Sequence, residues 1–262
     1  MQIKRRLATA ALLVTFAAAP AFAAVKTREV DYKQNGTTLK GLLAWDDAQA
    51  GKRPGVLVVH EWWGLNEHSR NAARRLAEAG YVALALDMYG DGEVATHQHD
   101  AEALMNAVTK DPAVVAARFN AALAQLKQDP HVDPEKIAAI GYCFGGQVVL
   151  DMARAGADLD AVVSFHGLLA TKTPAQKGKV TSRILVLTGD ADPFNPPEQV
   201  EAFKKEMQAA AARFEVISYP GVKHGFTNPD ASKYGMDALA YDARADKESW
   251  AEMLKLFKQV FG

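Results

Sequence analysis

Six continuous apolar runs rich in β-branched residues, at 55–59, 81–86, 137–140, 161–165, 184–187 and 214–218, punctuate the chain. A strand that alternates apolar and polar residues has one wet face, whereas a continuous run fits a strand covered on both faces. Between the runs lie stretches of helical spacing at 66–79, 112–126, 145–153, 197–212 and 244–261, with Gly80 where a helix C-cap glycine belongs. Strands alternating with helices imply right-handed βαβ crossovers, so the expected class is α/β, a mostly parallel, doubly wound sheet with helices on both faces. Residues 30–32 and 38–44, on either side of Asn35-Gly36, read as an antiparallel hairpin leading into that sheet. In such a fold the loops at the carboxyl ends of the strands hold the ligand, and chemistry is sought there.

With 262 residues, 49% of them apolar, and no repeat or low-complexity linker, the chain suits one domain over 24–262. Lys4-Arg5-Arg6, the apolar stretch 7–19 and Ala21-Phe22-Ala23 have the order of a secretory leader, so 1–23 are expected to be removed. The competing reading is an uncleaved anchor, since 7–24 is nearly long enough to span a bilayer; alanine dominates it, however, and Pro20 precedes the cleavage site. No cysteine follows that site, so a lipid-anchored terminus is not indicated. The mature protein is then periplasmic or secreted and has no membrane attachment. The leader carries three basic and no acidic side chains, so its loss moves the net charge from −1 to −4. That balance disfavours nucleic acid as a partner. Export favours disulfides, yet Cys143 is the chain's sole cysteine and has no partner within it.

Gly141-Tyr142-Cys143-Phe144-Gly145-Gly146 follows the run 137–140 and opens the helical stretch 145–153. This is the nucleophile-elbow pattern with cysteine in place of serine. Glycines at 141 and 145 fit a tight turn between strand and helix that pushes Cys143 outward, over a helix N-terminus that favours a thiolate. The bland alternative is a small buried cysteine in a glycine-rich turn. Against it stand Asp192, just after the run 184–187, and His224, just after 214–218. Nucleophile, acid and histidine come in the order of an α/β-hydrolase, each at a strand's carboxyl end. His224 would take the thiol proton or pair with the thiolate, and Asp192 would fix the imidazole tautomer. Asp190 is the rival acid; Asp192 is preferred because it stands later in the loop, nearer the next helix.

His60-Glu61-Trp62-Trp63-Gly64 follows the run 55–59. It begins like a zinc-protease H-E-x-x-H, but position 64 is glycine and the segment follows a strand, so zinc is rejected. In an α/β-hydrolase this loop supplies the second oxyanion-hole N–H, which places that role on the backbones of Trp62 and Phe144. Trp63 either lines the substrate pocket or packs the core. Glu61, a carboxylate at the end of a buried strand, needs a partner or a task.

Together, His60-Glu61-Trp62-Trp63-Gly64, the elbow around Cys143, Asp192 and His224-Gly225-Phe226 resemble the dienelactone hydrolase (carboxymethylenebutenolidase) family over roughly residue 28 to the end. The resemblance implies an α/β-hydrolase fold and cleavage of a small-molecule ester or lactone by Cys143, Asp192 and His224, without a cofactor. It also implies that Glu61 takes the thiol proton when substrate arrives. The family holds its substrate's carboxylate with arginines, one of them four residues after the histidine. Here that position is Asn228, a candidate substrate contact, and 97–101 hold no arginine either. Anionic dienelactones are therefore doubtful substrates.

His97-Gln98-His99-Asp100 reads as a polar surface loop, and no metal is assigned. His166, after the run 161–165, either lines the pocket or is an ordinary hydrogen-bonded histidine. Trp250, Met253, Leu254, Phe257 and Phe261 form a helical core stripe. The rival functions are a non-catalytic binding protein on the same fold, a thiol redox sensor, and a peptidase or thioesterase using the same residues. Oligomeric state is left open.

Overall fold

The computed structural model describes residues 25–262, and the expected leader 1–23 lies outside them. An antiparallel hairpin, β1 (Val25–Gln34) and β2 (Thr37–Asp46), turns through Asn35 and Gly36, both with positive φ as a two-residue hairpin loop requires. Six further strands follow: β3 (Arg53–Val59), β4 (Val82–Leu86), β5 (Val132–Tyr142), β6 (Ala161–Phe165), β7 (Arg183–Gly189) and β8 (Arg213–Tyr219). They form one sheet in the order β1-β2-β4-β3-β5-β6-β7-β8, parallel from β4 onward and antiparallel where β2 meets β4. This is the α/β-hydrolase fold.

Among the described residues the helices are α1 (Glu67–Glu78), α2 (Gln98–Thr109), α3 (Pro112–Lys127), α4 (Phe144–Arg154), α5 (Pro197–Ala209) and α6 (Ala243–Phe261), with a 3₁₀ turn at Ala231–Tyr234. The strands' apolar runs are continuous because alternate side chains go to opposite faces. Leu57, Val59, Val162 and Val186 pack with Phe119 of α3, Val148 of α4 and Phe203 of α5. Val56, Val58, Val163 and Leu187 pack with Leu76 of α1 and Phe257 of α6. Each such side chain, fully withdrawn from water, contributes on the order of 1.5–3 kcal/mol before the entropy of ordering is subtracted.

Two readings are corrected. The segment 97–100 is no loop: His97 is the N-cap residue of α2, whose Ala101, Leu104, Met105 and Val108 form an apolar stripe toward the core, the first and last buried and the middle two partly so. Strand β5 begins at Val132 rather than 137, its first residues pairing with Arg53 and Pro54 across an irregularity before Gly55. Among the described residues, no helix is long and apolar enough to cross a membrane.

Candidate active site

Strands β4 and β5 lie on opposite sides of β3, so the chain reverses its winding there and leaves a crevice at the carboxyl ends. Cys143 occupies the turn from β5 into α4 with φ 52° and ψ −116°, a left-handed conformation for a residue with a Cβ. Such backbones cost on the order of 1–3 kcal/mol and persist only where their surroundings hold them. Here Cys143 N–H donates to Phe165 O (3.0 Å), and Cys143 O accepts from Gln147 N–H (3.2 Å). Gly145 N–H donates to His60 O (3.1 Å), and a Cβ on Gly145 would lie 2.6 Å from that oxygen. The α4 backbone thus presses against the end of β3, and only glycine fits the contact. Cys143 remains half-buried, and the first-turn N–H groups behind it, Phe144's included, have no acceptor within the helix.

His224 Nδ1 lies 2.8 Å from Asp192 Oδ2, both side chains being buried. Asp192 Oδ1 accepts Phe194 N–H at 2.8 Å. Asp190 is exposed and accepts Gly221 N–H instead, so the carboxylate that meets His224 is Asp192. Burial alone would pull the His224 pKa down. The charge on Cys143 and the hydrogen bonds from Asp192 and Cys143 overcome it and push the imidazole up to about 10. With Nδ1 engaged by Asp192, Nε2 is the nitrogen left for sulfur.

Asn195, which the sequence did not single out, braces this acid. Its amide reaches Gly167 O (3.0 Å) and Asp192 Oδ2 (3.4 Å), and its oxygen accepts Leu169 N–H (3.1 Å). Phe194, also not anticipated, stands 42% exposed with its ring edge-on to His224 at 4.9 Å. Its apolar face is the one sequence signal for that role.

In the loop after β3, both ring nitrogens of His60 are spent: Nδ1 on Glu61 O and Nε2 on Met88 N–H (3.1 Å). Burial lowers the His60 pKa, which keeps this histidine neutral with its proton on Nδ1. Trp62 is half-buried, and its carbonyl accepts the Tyr89 hydroxyl at 2.8 Å. Glu61 is buried, and its Oε2 accepts the Asn228 amide at 2.6 Å.

Of the three residues expected to contact substrate, none presents an open surface. Trp63 is 2% exposed and stacks on Tyr234 with ring centroids 3.7 Å apart, a packing role. Asn228 is buried with its amide committed to Glu61. His166 is buried 5.0 Å from the His224 ring, its Nε2 2.8 Å from Thr227 Oγ1. Burial first, then the neighbouring His224 and His68, lower the His166 pKa well below the ordinary value, so it is neutral. Among the described residues, no three His, Cys, Asp or Glu side chains converge as metal ligands, and His99 projects into solvent.

A model of the dienelactone hydrolase family matches residues 39–261. The chain belongs to that family. With membership goes the activity class, hydrolysis of a carboxylic ester or lactone. Among solved structures, a dienelactone hydrolase-like promiscuous phosphotriesterase, P91 from metagenomic libraries, is 40% identical with a TM-score of 0.88, over 91% of this chain and all of that one. The protein Usf of Aquifex pyrophilus is 31% identical over 88% of this chain and 97% of its own length. A dienelactone hydrolase from Anabaena variabilis, 21% identical with a TM-score of 0.59 over 86% of this chain and 95% of that one, shares the fold. At Asn228, where the resemblance implies an arginine, this family member has an amide bound to Glu61.

Proposed function

We propose that this dienelactone hydrolase cleaves uncharged esters or lactones through a thioester on Cys143. The observation that carries the reading is the strained, half-buried Cys143, close enough for its charge to raise a buried His224 whose Nδ1 rests on Asp192. The Cys143 thiolate attacks the substrate carbonyl carbon, and the oxyanion rests on the N–H groups of Trp62 and Phe144. Collapse breaks the carbon–oxygen bond, and His224 gives its proton to the departing alkoxide. His224 then takes a proton from water, which attacks the thioester and releases acid and thiolate. Glu61, by the family resemblance, is the group that accepts the proton of a resting thiol. The commitment of Asn228 to Glu61 supports an uncharged substrate, because no arginine stands at that position to bind a carboxylate.

The test is hydrolysis of a neutral aryl ester by the mature chain and by Cys143→Ala. Loss of activity, together with a mass shift of one acyl group on the wild type early in turnover, supports the reading, and full activity in Cys143→Ala defeats it. A second reading, cleavage of phosphotriesters by attack of the same thiolate on phosphorus, is favoured by the 40% identity to the phosphotriesterase over that chain's whole length. A phosphorylated Cys143 after incubation with a triester is its signature. From the basic, apolar and A-x-A segments of residues 1–23 we also propose export with cleavage after Ala23, checked by N-terminal sequencing of the secreted or periplasmic protein.

A further inference from the structure

At the end of the sheet away from Cys143, Arg183 and Arg213 open β7 and β8 and are register partners. Side chains at partnered positions of parallel strands leave the same face, with the strands about 4.8 Å apart. That face is the one on which Leu185, two residues along β7, joins Leu256 of α6 in the core. Two cations side by side repel, so the arrangement costs stability unless something negative lies between them. Among the described residues neither guanidinium forms an ion pair. Arg183 Nη2 donates to Gln259 Oε1 at 2.8 Å, and Arg213 Nη2 donates to Thr181 O at 3.1 Å. Each planar fork carries five N–H donors, so most remain unspent.

The pair stands where two cavities meet. The larger, of about 470 Å³, has Leu185, Leu256 and Phe214 among its walls. The smaller, of about 380 Å³, adjoins it, and Arg183, Arg213 and Gln259 line both. The acidic side chains around them are engaged elsewhere. Glu252 pairs with Lys255 at 2.8 Å, and the charge of Glu215 acts on the same ammonium. Asp158 holds Lys127 at 2.8 Å, and Asp160 accepts Ile137 N–H at 2.9 Å. The larger cavity thus carries Arg183, Arg213 and Lys255 against Glu215 and Glu252, and the uncompensated charge sits on the two arginines.

We infer that this cleft is a second ligand site, separate from the one around Cys143, which takes a small organic anion: a carboxylate bridging Arg183 and Arg213 on an apolar body lying against Leu185, Leu256 and Phe214. Carboxylate oxygens match the guanidinium fork, and two forks side by side hold one such group from both flanks. Apolar walls with a few convergent polar groups, at this volume, are the ordinary make-up of a small-molecule pocket. The arginines stand a strand's length, roughly 20 Å, from the carboxyl ends of β7 and β8. Occupancy therefore involves none of the acyl-transfer groups, and the inference holds whether or not Cys143 is the nucleophile.

The experiment is calorimetric titration of the mature wild type, Arg183→Gln and Arg213→Gln with benzoate, benzamide and inorganic phosphate. Both variants are expected to keep wild-type turnover of a neutral aryl ester, which also reports that they are folded. Benzoate should bind the wild type without competing with the ester, and each substitution should weaken it about tenfold or more, the loss of one charge-assisted contact. Benzamide, of the same shape without the charge, and phosphate, with charge but no apolar body, should both bind more weakly than benzoate. No benzoate binding at millimolar concentration overturns the inference, as does equal affinity in the wild type and both variants. Phosphate binding as tightly as benzoate overturns it too, because the apolar walls then contribute nothing. If neither variant folds, the wild type still decides: a benzoate Kd equal to its competitive inhibition constant against the ester places the ligand at Cys143 and sinks the second site.

Discussion

His224 Nδ1 and Asp192 Oδ2 meet at 2.8 Å in a site from which both side chains have lost nearly all contact with water. The imidazole is pushed from an ordinary 6.5 up to about 10, because the charge on Cys143 and the bonds from Asp192 and Cys143 exceed the cost of burial. A group raised on folding stabilises the folded state fully below its unfolded value, and loses that contribution as pH climbs through the folded one. The window here runs from about 6.5 to about 10. The wild type is expected to lose Tm across it more steeply than His224→Gln. Parallel Tm–pH curves for the two proteins would remove the raised imidazole.

Asn195 gives a prediction that separates bracing from chemistry. Its side chain joins Asp192 to the backbone at Gly167 and Leu169. Asn195→Ala leaves a buried N–H and C=O without their partner, worth about 1–3 kcal/mol of stability. It also frees the Asp192 carboxylate on one side. The expected result is a lower Tm together with a fall in kcat and little change in KM. A Tm loss with wild-type kcat would make Asn195 a purely structural residue.

The fold was legible because doubly covered strands announce themselves in continuous apolar runs, and 161–165 matched its strand end to end. What escaped was held by distant partners or by little apolar burial. Helix α2 carries Ala101, Leu104, Met105 and Val108 at helical spacing, a short signal that the polar reading of 97–100 passes over; α5 ends at Ala209 rather than 212, and Ala211 just beyond takes a positive φ. At the candidate site, Cys143, Asp192 and His224 stand out in the sequence by their places after strands. Asn195 does not, since an asparagine gains meaning only from groups it touches elsewhere, such as Gly167 and Asp192. The commitment of Asn228 to Glu61, 167 residues away, was equally invisible.

Gly145 tests how tightly the elbow is built. A methyl group there would sit 2.6 Å from His60 O, and the obstacle is backbone at the end of a central strand, which has no rotamer to give way. Gly145→Ala is expected to destabilise the protein by about 2–4 kcal/mol, and in whatever folds, to shift Cys143 and lower kcat at least about tenfold. Thermal melts and turnover of a neutral aryl ester check both. An alanine variant with wild-type Tm and kcat would show that the strand and helix ends separate easily.

Phe194 bears on which esters the site takes. It is among the few large apolar side chains left exposed, and its ring stands edge-on to His224 at 4.9 Å. With Asn228 turned to Glu61, the neighbourhood of His224 offers an aromatic face. Covering part of a phenyl ring is worth about 1–1.5 kcal/mol, or roughly tenfold in kcat/KM. Phe194→Ala should therefore lose about tenfold in kcat/KM for aryl esters and little for short alkyl esters. Phe194→Lys should lose on neutral aryl esters and gain on substrates bearing a carboxylate, because the new cation supplies the charge the site lacks. Equal losses on aryl and alkyl esters in Phe194→Ala would move the recognition surface away from this ring and toward Trp62.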